Sequence, residues 1–442
     1  MTAVRISSVV PAVSLQALRL AIMLLSLGGL GGSLQPSRIV MLVGSVVALV
    51  ALLGMSARLT SLDAVGVLFV AVLLAGGALS LAWTPAAADG ASMLVVATVN
   101  SLAIALACAC GRTPDVARSV RDAWTAALLL TLPIATYELL TGQHFAFALD
   151  DRDLGGDVGE LPYASVFFGN YNNYSTFICL ALPMMLGSLW GARNRLCALV
   201  ILLAMPLAVL VLVVNASRLS LIVPAVLLLY AVVSRPRWGV PIALLVLPAA
   251  ALALYLALPD DIDGLLMLLA IKFSSVFDGD ESAGQRLAII TVGLDALRAS
   301  IGVGAGVGSF EHLLRSEHRD LIPNAHNLVL EIAVNFGTLP VLVLAVLLGI
   351  AWRDTWRSRC GLDLRIAALV TIPLVPAIGA INSQAVGYTY WWLWFASIIV
   401  IARGAKSEHA AAAQPPLRSV PSHRKRPRPA GRPPTDGIPI AP

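Results

Sequence analysis

The sequence predicts an all-α integral membrane protein of about twelve transmembrane helices, with one long exterior loop between the ninth and the tenth. Three observations carry this. Of 442 residues, 58% are hydrophobic and 12% are charged, about half the charged fraction of a soluble domain. Mean hydropathy is +0.85. Apolar runs near the length that a bilayer requires, roughly 20 residues, recur along the chain between charged residues. This composition excludes a soluble multidomain protein, a disordered chain and a nucleic-acid binder.

The runs give expected spans at 13–34, 39–56, 62–83, 91–110, 120–140, 173–190, 196–214, 219–233, 239–258, 327–350, 365–384 and 388–402. Gly28, Gly29, Pro133, Pro183, Pro206, Pro224 and Pro376 fall inside them, and neighbouring helices can satisfy the backbone groups that such residues free. Residues 1–402 form one polytopic domain on this reading. Residues 403–442, rich in Pro and Arg, form a disordered basic cytoplasmic tail. The start MTAVRISSVV is too polar for a cleaved signal peptide, so the first run is read as a retained span.

Orientation follows from the basic residues, which accumulate on the cytoplasmic side of membrane proteins. With the N-terminus inside, 22 of the 30 Lys and Arg residues fall in inner segments and 8 in outer ones. An even number of spans then places both termini in the cytoplasm. The five cysteines lie in apolar runs or short inner loops, so no disulfide framework is expected. Cys108-x-Cys110 closes an apolar run and reads as packing.

Two long exterior loops remain, at 141–172 and 259–326. The spans carry no charge near their middles; Asp63, Glu138 and Glu331 stand near span ends. Intramembrane ionisable residues mark ion and proton pathways, so their absence argues against a proton-coupled transporter. The inner loops are short and leave no room for a nucleotide. Polar chemistry therefore belongs to the exterior face.

In the second exterior loop, Leu287, Ile290, Leu294, Leu297 and Ile301 stand at helical spacing. They predict an amphipathic helix lying on the membrane or the bundle, with Arg286, Asp295 and Arg298 on its other face. Gly304-Ala-Gly306-Val-Gly308 follows; its spacing is not that of a dinucleotide fingerprint. Arg218, in Asn215-Ala-Ser217-Arg218, is either an interfacial anchor or, beside a helix start, half of a phosphate site. His326 stands before a helix start with Asn327 next and Glu331 one turn on. It reads either as a bland interfacial histidine or as a base of near-neutral pKa. His312 and His318 compete with it but lie in a charged stretch. Asp278, Asp280 and Glu281 read as a solvated loop, with a cation left open.

In order along the chain, four pieces make a pattern. They are Phe168-Gly169-Asn170-Tyr171-Asn172-Asn173, the turn Ser217-Arg218, Arg286 leading to Gly304-x-Gly306-x-Gly308-x-Phe310, and His326-Asn327-x-x-Leu330-Glu331 with Gly337. Over roughly 165–350 the chain resembles the O-antigen ligase and O-antigen polymerase superfamily, membrane glycosyltransferases that use polyprenyl-linked sugars. Pro340 departs from the pattern, where a second Gly is common. The resemblance implies a polyprenyl-diphosphate-linked glycan as donor and a glycan, lipid or protein as acceptor. It implies Arg218 and Arg286 as diphosphate ligands and His326 as general base. Asn327, Glu331, Asn170, Asn172, Gly304, Gly306 and Gly308 would support them, with no cofactor and no metal. A lipid-linked glycan flippase, another transporter and a peptidoglycan-type polymerase are the rival readings.

Overall fold

The computed structural model describes residues 2–54, 59–145, 163–215, 218–237, 281–318, 321–322, 324–358, 360–382 and 384–413, together with residue 248. Fourteen α-helices lie among them. In chain order they are α1 (Thr2–Met23), α2 (Pro36–Gly54), α3 (Ser61–Ser80), α4 (Ala87–Ala109), α5 (Pro114–Thr141), α6 (Tyr171–Gly191), α7 (Arg195–Val214) and α8 (Ile222–Ser234). Then come α9 (Glu281–Ala299), α10 (Ser309–Glu317), α11 (Leu328–Phe336), α12 (Thr338–Arg357), α13 (Leu362–Ile378) and α14 (Thr389–Ala413).

The helix starts are written locally. Thr60 and Asp63 form a reciprocal capping box at α3, and Thr113 caps α5 ahead of Pro114. Asn170, Asn194 and Asn327 cap α6, α7 and α11. Each side-chain oxygen satisfies an N–H that the first turn of a helix leaves without a partner.

Among the described residues, seven helices are long and apolar enough to cross a membrane: Val9–Leu27, α3, α4, α5, α6, α7 and α12. Residues 36–49 and 219–234 add shorter apolar helices. The expected ninth span, 239–258, and residues 259–280 of the long loop lie outside the described residues.

Three expected boundaries need correction. The span expected at 327–350 is two helices, broken at Gly337, whose φ of +92° is left-handed. The α12 helix alone runs about 30 Å at 1.5 Å per residue, enough to cross, so α11 is a separate cap on the bundle. The span expected to reach 384 stops at Ile378, and 379–388 form a loop. The last helix continues through Ala413, past residue 402, where the sequence reading ends the membrane domain; 414–442 lie outside the described residues.

Contacts between segments far apart in sequence sort the bundle into two ends. At one end the Gly29 N–H donates to the Phe167 carbonyl, and Arg38 donates to Asn100, Thr389 and the Gly387 carbonyl at 3.1, 3.1 and 2.6 Å. The buried Glu138 carboxylate there accepts from Ser165 and Val166 N–H, both at 2.8 Å. At the other end Arg403 meets Asp63 at 2.6 Å and the Ala107 carbonyl at 2.5 Å. Arg121 meets Asp363 at 2.7 Å, and Arg118 meets both Asp363 and Glu408. These buried charges are paired at helix ends, as burial demands. Helices α6 and α14 run through the centre: nearly every residue of 173–188 and 390–405 is buried, including Trp391, Trp392 and Trp394.

Candidate functional site

The site forms at the first end, where α9, α10, α11 and the 379–388 loop meet. Asn327 opens α11 and accepts from the Val329 and Leu330 N–H groups at 3.0 and 3.1 Å. Its side chain is therefore occupied in holding the helix start. The Leu328 N–H donates to the Gly379 carbonyl at 3.0 Å, which ties α11 to the end of α13.

His326 precedes this cap with φ +44°. A left-handed non-glycine residue is strained, and such strain clusters at functional sites. Its Nδ1 is buried without a hydrogen-bond partner among the described residues. Burial above all, and then the positive charge of Arg286 on α9, pull the imidazole down to about pKa 4, while the Ile381 carbonyl pushes back up. The ring is thus neutral at physiological pH and lies within electrostatic reach of Arg286. The structure brings together Arg286 of α9 and His326 of the loop before α11.

Glu331 does not bond to His326. It is buried on α11 and accepts from the Ala385 and Val386 N–H groups at 2.6 and 3.1 Å. Ile381, whose carbonyl meets the imidazole, lies four and five residues before these two amides in the 379–388 loop. Glu311 on α10 clasps the same loop from the other side, accepting from the Gln384 amide. Burial raises the Glu311 carboxyl pKa, and Arg315 opposes the rise.

Arg218 opens a 3-10 turn, Arg218–Leu221; its side chain lies outside the described residues. The turn is anchored just before it by Asn215. That amide accepts from Ala164 N–H at 2.8 Å and donates to the Ala164 carbonyl and to Ser175 at 2.9 and 3.2 Å. Asn170 accepts from Asn172 N–H at 2.7 Å, and the Asn172 carbonyl accepts from Thr176 at 2.9 Å. Both serve the start of α6. Asn173 is the member of that run that reaches across, donating to the Tyr388 hydroxyl at 2.6 Å.

The glycine run is a docking strap. Gly304, Gly306 and Gly308 have φ of +95°, +107° and +79°. A Cβ at Gly304 would stand 2.8 Å from the Gly337 nitrogen, at Gly306 2.8 Å from the Thr84 Cβ, and at Gly308 2.6 Å from the Gly90 nitrogen. Only glycine allows backbone to approach this closely. The strap hydrogen-bonds to α3 and to the turn after it: Val307 N–H donates to Ser80 Oγ at 2.9 Å, and Thr84 Oγ1 donates to the Val307 carbonyl at 2.8 Å.

The α9 helix forms as expected, and its stripe divides: Ile290 and Leu297 pack, partly buried, on the core beneath the helix. Leu287, Leu294 and Ile301 are exposed, whereas Ile289 is buried with Phe310, Leu314, Leu330 and Val334. Gly293 lies against Leu330, where an added Cβ would come within 2.8 Å. The close approach of α11 at Gly293 decides which face turns inward, and apolar spacing alone does not register it. His312 and His318 line a separate cleft beyond α9 and α10. Asp278 and Asp280 lie outside the described residues.

The sequence reading missed Glu311, Ile381 and Gln384. The polar run Asn382-Ser383-Gln384 between two apolar stretches was the available signal. It was absorbed into the span expected at 365–384.

Residues 202–346 match the family model described as O-antigen ligase. The resemblance to that superfamily therefore stands. The matched O-antigen ligase segment holds Arg218, Arg286, the glycine strap, His326 and Glu331. Asn170 and the 379–388 loop lie beyond it. No curated protein matches the chain.

Proposed function

We propose that the chain transfers or polymerises a glycan carried on a polyprenyl diphosphate, joining it to an acceptor hydroxyl at the exterior face of a bacterial cytoplasmic membrane. The observation that carries this reading is the placement of a neutral imidazole, His326, beside the Arg286 charge at one end of an apolar bundle. Both residues fall in the segment that matches the O-antigen ligase model.

In this reading the donor diphosphate sits against Arg286 and Arg218, since a planar guanidinium can hold two phosphate oxygens at once. The acceptor oxygen attacks the anomeric carbon, and the bond from that carbon to the diphosphate oxygen breaks. The electron pair leaves with the polyprenyl diphosphate, and the arginines stabilise its charge. The acceptor proton passes to the imidazole. With one ring nitrogen held by the Ile381 carbonyl, the other keeps a free lone pair to receive it. The activated bond is already in the donor, so no nucleotide is consumed.

Donor binding also prepares the base. Burial first, and the Arg286 charge second, hold the imidazole pKa low. A diphosphate beside Arg286 offsets that charge and raises the basicity of His326 only once donor is present.

The test is transfer by the purified protein in lipid nanodiscs, given a polyprenyl-diphosphate glycan and candidate acceptors. Release of polyprenyl diphosphate with a glycosylated product supports the reading. A ladder of products marks a polymerase and a single addition marks a ligase. Translocation of the intact donor in sealed vesicles, without product, would replace the reading with a flippase.

A further inference from the structure

A cleft of about 1210 Å³ lies between the turn after α3, one face of α9, the glycine strap and α10. It is larger than the roughly 300–1,000 Å³ of a site for one small molecule. From α9 it takes Gly284, Leu287, Thr291 and Asp295, on the side of the helix away from Arg286. The cleft and the His326 site therefore flank α9, about one helix diameter of 10–12 Å apart.

Trp83 is 48% exposed at the cleft, and its ring N–H donates to the Gly304 carbonyl at 3.3 Å. The indole is therefore a fixed, half-open apolar plate. Around it stand groups that hydrogen-bond hydroxyls: Asp295, His312, Glu317 and His318. Among the described lining residues none is Lys or Arg, so the wall has no charge to hold a phosphate. Ser309 supplies the independent observation. It lines the cleft at 2% exposure, and its Oγ is buried without a hydrogen-bond partner among the described residues. A buried hydroxyl left unpaired is costly.

We infer that this cleft binds the oligosaccharide portion of a substrate, one to several sugars away from the reacting end. A hydroxyl-rich chain with apolar ring faces matches a fixed indole flanked by carboxylates and imidazoles, and one of its hydroxyls pairs with Ser309. The inference rests on the glycan-transfer reading above. The chain belongs either to the donor or to the acceptor.

The test uses the full-length protein in nanodiscs and two variants, Ser309→Ala and Trp83→Ala. The binding probe is the host's lipid-linked glycan, freed from its lipid by mild acid and followed by saturation-transfer NMR. Ser309→Ala removes a hydroxyl with no partner to lose, so its Tm should hold or rise while glycan binding weakens about 3- to 10-fold. Trp83→Ala should weaken binding by at least as much, and Trp83→Phe should restore most of it. In the transfer assay the variants should raise KM for one substrate and leave kcat nearly unchanged. A rise in donor KM assigns the cleft to the donor chain, and a rise in acceptor KM assigns it to the acceptor. Unchanged binding and KM in both variants overturn the inference while wild-type transfer stands. So does a cleft that takes up spin-labelled phospholipid and no glycan. Glycan binding that Ser309→Ala weakens, in a protein that transfers nothing, keeps the cleft and removes the transferase reading.

Discussion

Replacing Glu331 with Ala removes the acceptor of two buried backbone N–H groups. Ala385 and Val386 are 1% and 2% exposed, and their N–H groups reach the Glu331 carboxylate at 2.6 and 3.1 Å. A buried donor left without an acceptor costs about 1–3 kcal/mol, so the pair together costs about 2–6 kcal/mol. The cost falls on the 379–388 loop, because α11 keeps its Asn327 cap. Amide hydrogen exchange on peptides covering 379–390 reads it directly. At about 1.4 kcal/mol per factor of ten, exchange at Ala385 and Val386 should quicken at least about 30-fold. Glu331→Gln keeps one acceptor oxygen and should fall between wild type and Glu331→Ala. Turnover should fall in the same order, because the loop holds the Ile381 carbonyl against His326. Unchanged protection at 385–386 in Glu331→Ala would refute the view that Glu331 acts on the imidazole through this loop.

Four further outcomes follow from the structure. The neutral imidazole is the active form, and its pKa is lowered to about 4; the acidic limb of kcat/KM should therefore lie near pH 4, with activity lost as pH falls through it. Arg286→Ala removes a lowering charge, so in a pH–rate profile of its residual activity that limb should move to higher pH. Gly306→Ala forces a side chain at φ +107° and 2.8 Å from Thr84 Cβ; strain of this kind costs about 1–3 kcal/mol, so Tm should drop and limited proteolysis should cut the α9–α10 segment faster. Arg403→Ala removes the 2.6 Å partner of the fully buried Asp63 but leaves it Arg112 at 3.5 Å and the Thr60 donors; the cost should fall below the roughly 3–5 kcal/mol of a buried pair broken outright, lowering Tm, and Asp63→Asn in the same background should recover part of it.

Much of this was legible in the sequence. Apolar run length locates α2, α3, α4, α6 and α7 to within about four residues, because the bilayer sets that length, whereas α5 starts six residues earlier than its apolar run, at Pro114. His326 stands out by residue type just before a helix start, whereas Arg286 enters through the resemblance to the O-antigen ligase superfamily. What could not be read were consequences of tertiary contact. Gly337 ends α11 because the Gly302–Val303 backbone presses on it: the Thr338 N–H donates to the Gly302 carbonyl at 3.0 Å, and a Cβ at Gly337 would stand 2.5 Å from the Val303 carbonyl oxygen. An apolar run alone reads straight through that break. The inward face of α9 follows from Gly293 meeting Leu330, a contact with a residue 37 positions on. Glu331 is near His326 in sequence without bonding to it. It instead serves amides more than fifty residues away, which no local pattern reports.

Single-turnover transfer by His326→Ala, compared with wild type, tests the central claim most directly. Both proteins are reconstituted in nanodiscs with the same polyprenyl-diphosphate glycan, and donor affinity is measured beside the rate. A positioned base contributes about 10²–10⁴-fold, so the variant should lose about that much in rate and bind donor almost as wild type does, since the arginines hold the diphosphate. Wild-type rates in His326→Ala, together with their loss in His312→Ala or His318→Ala, would contradict the account and move the chemistry into the cleft.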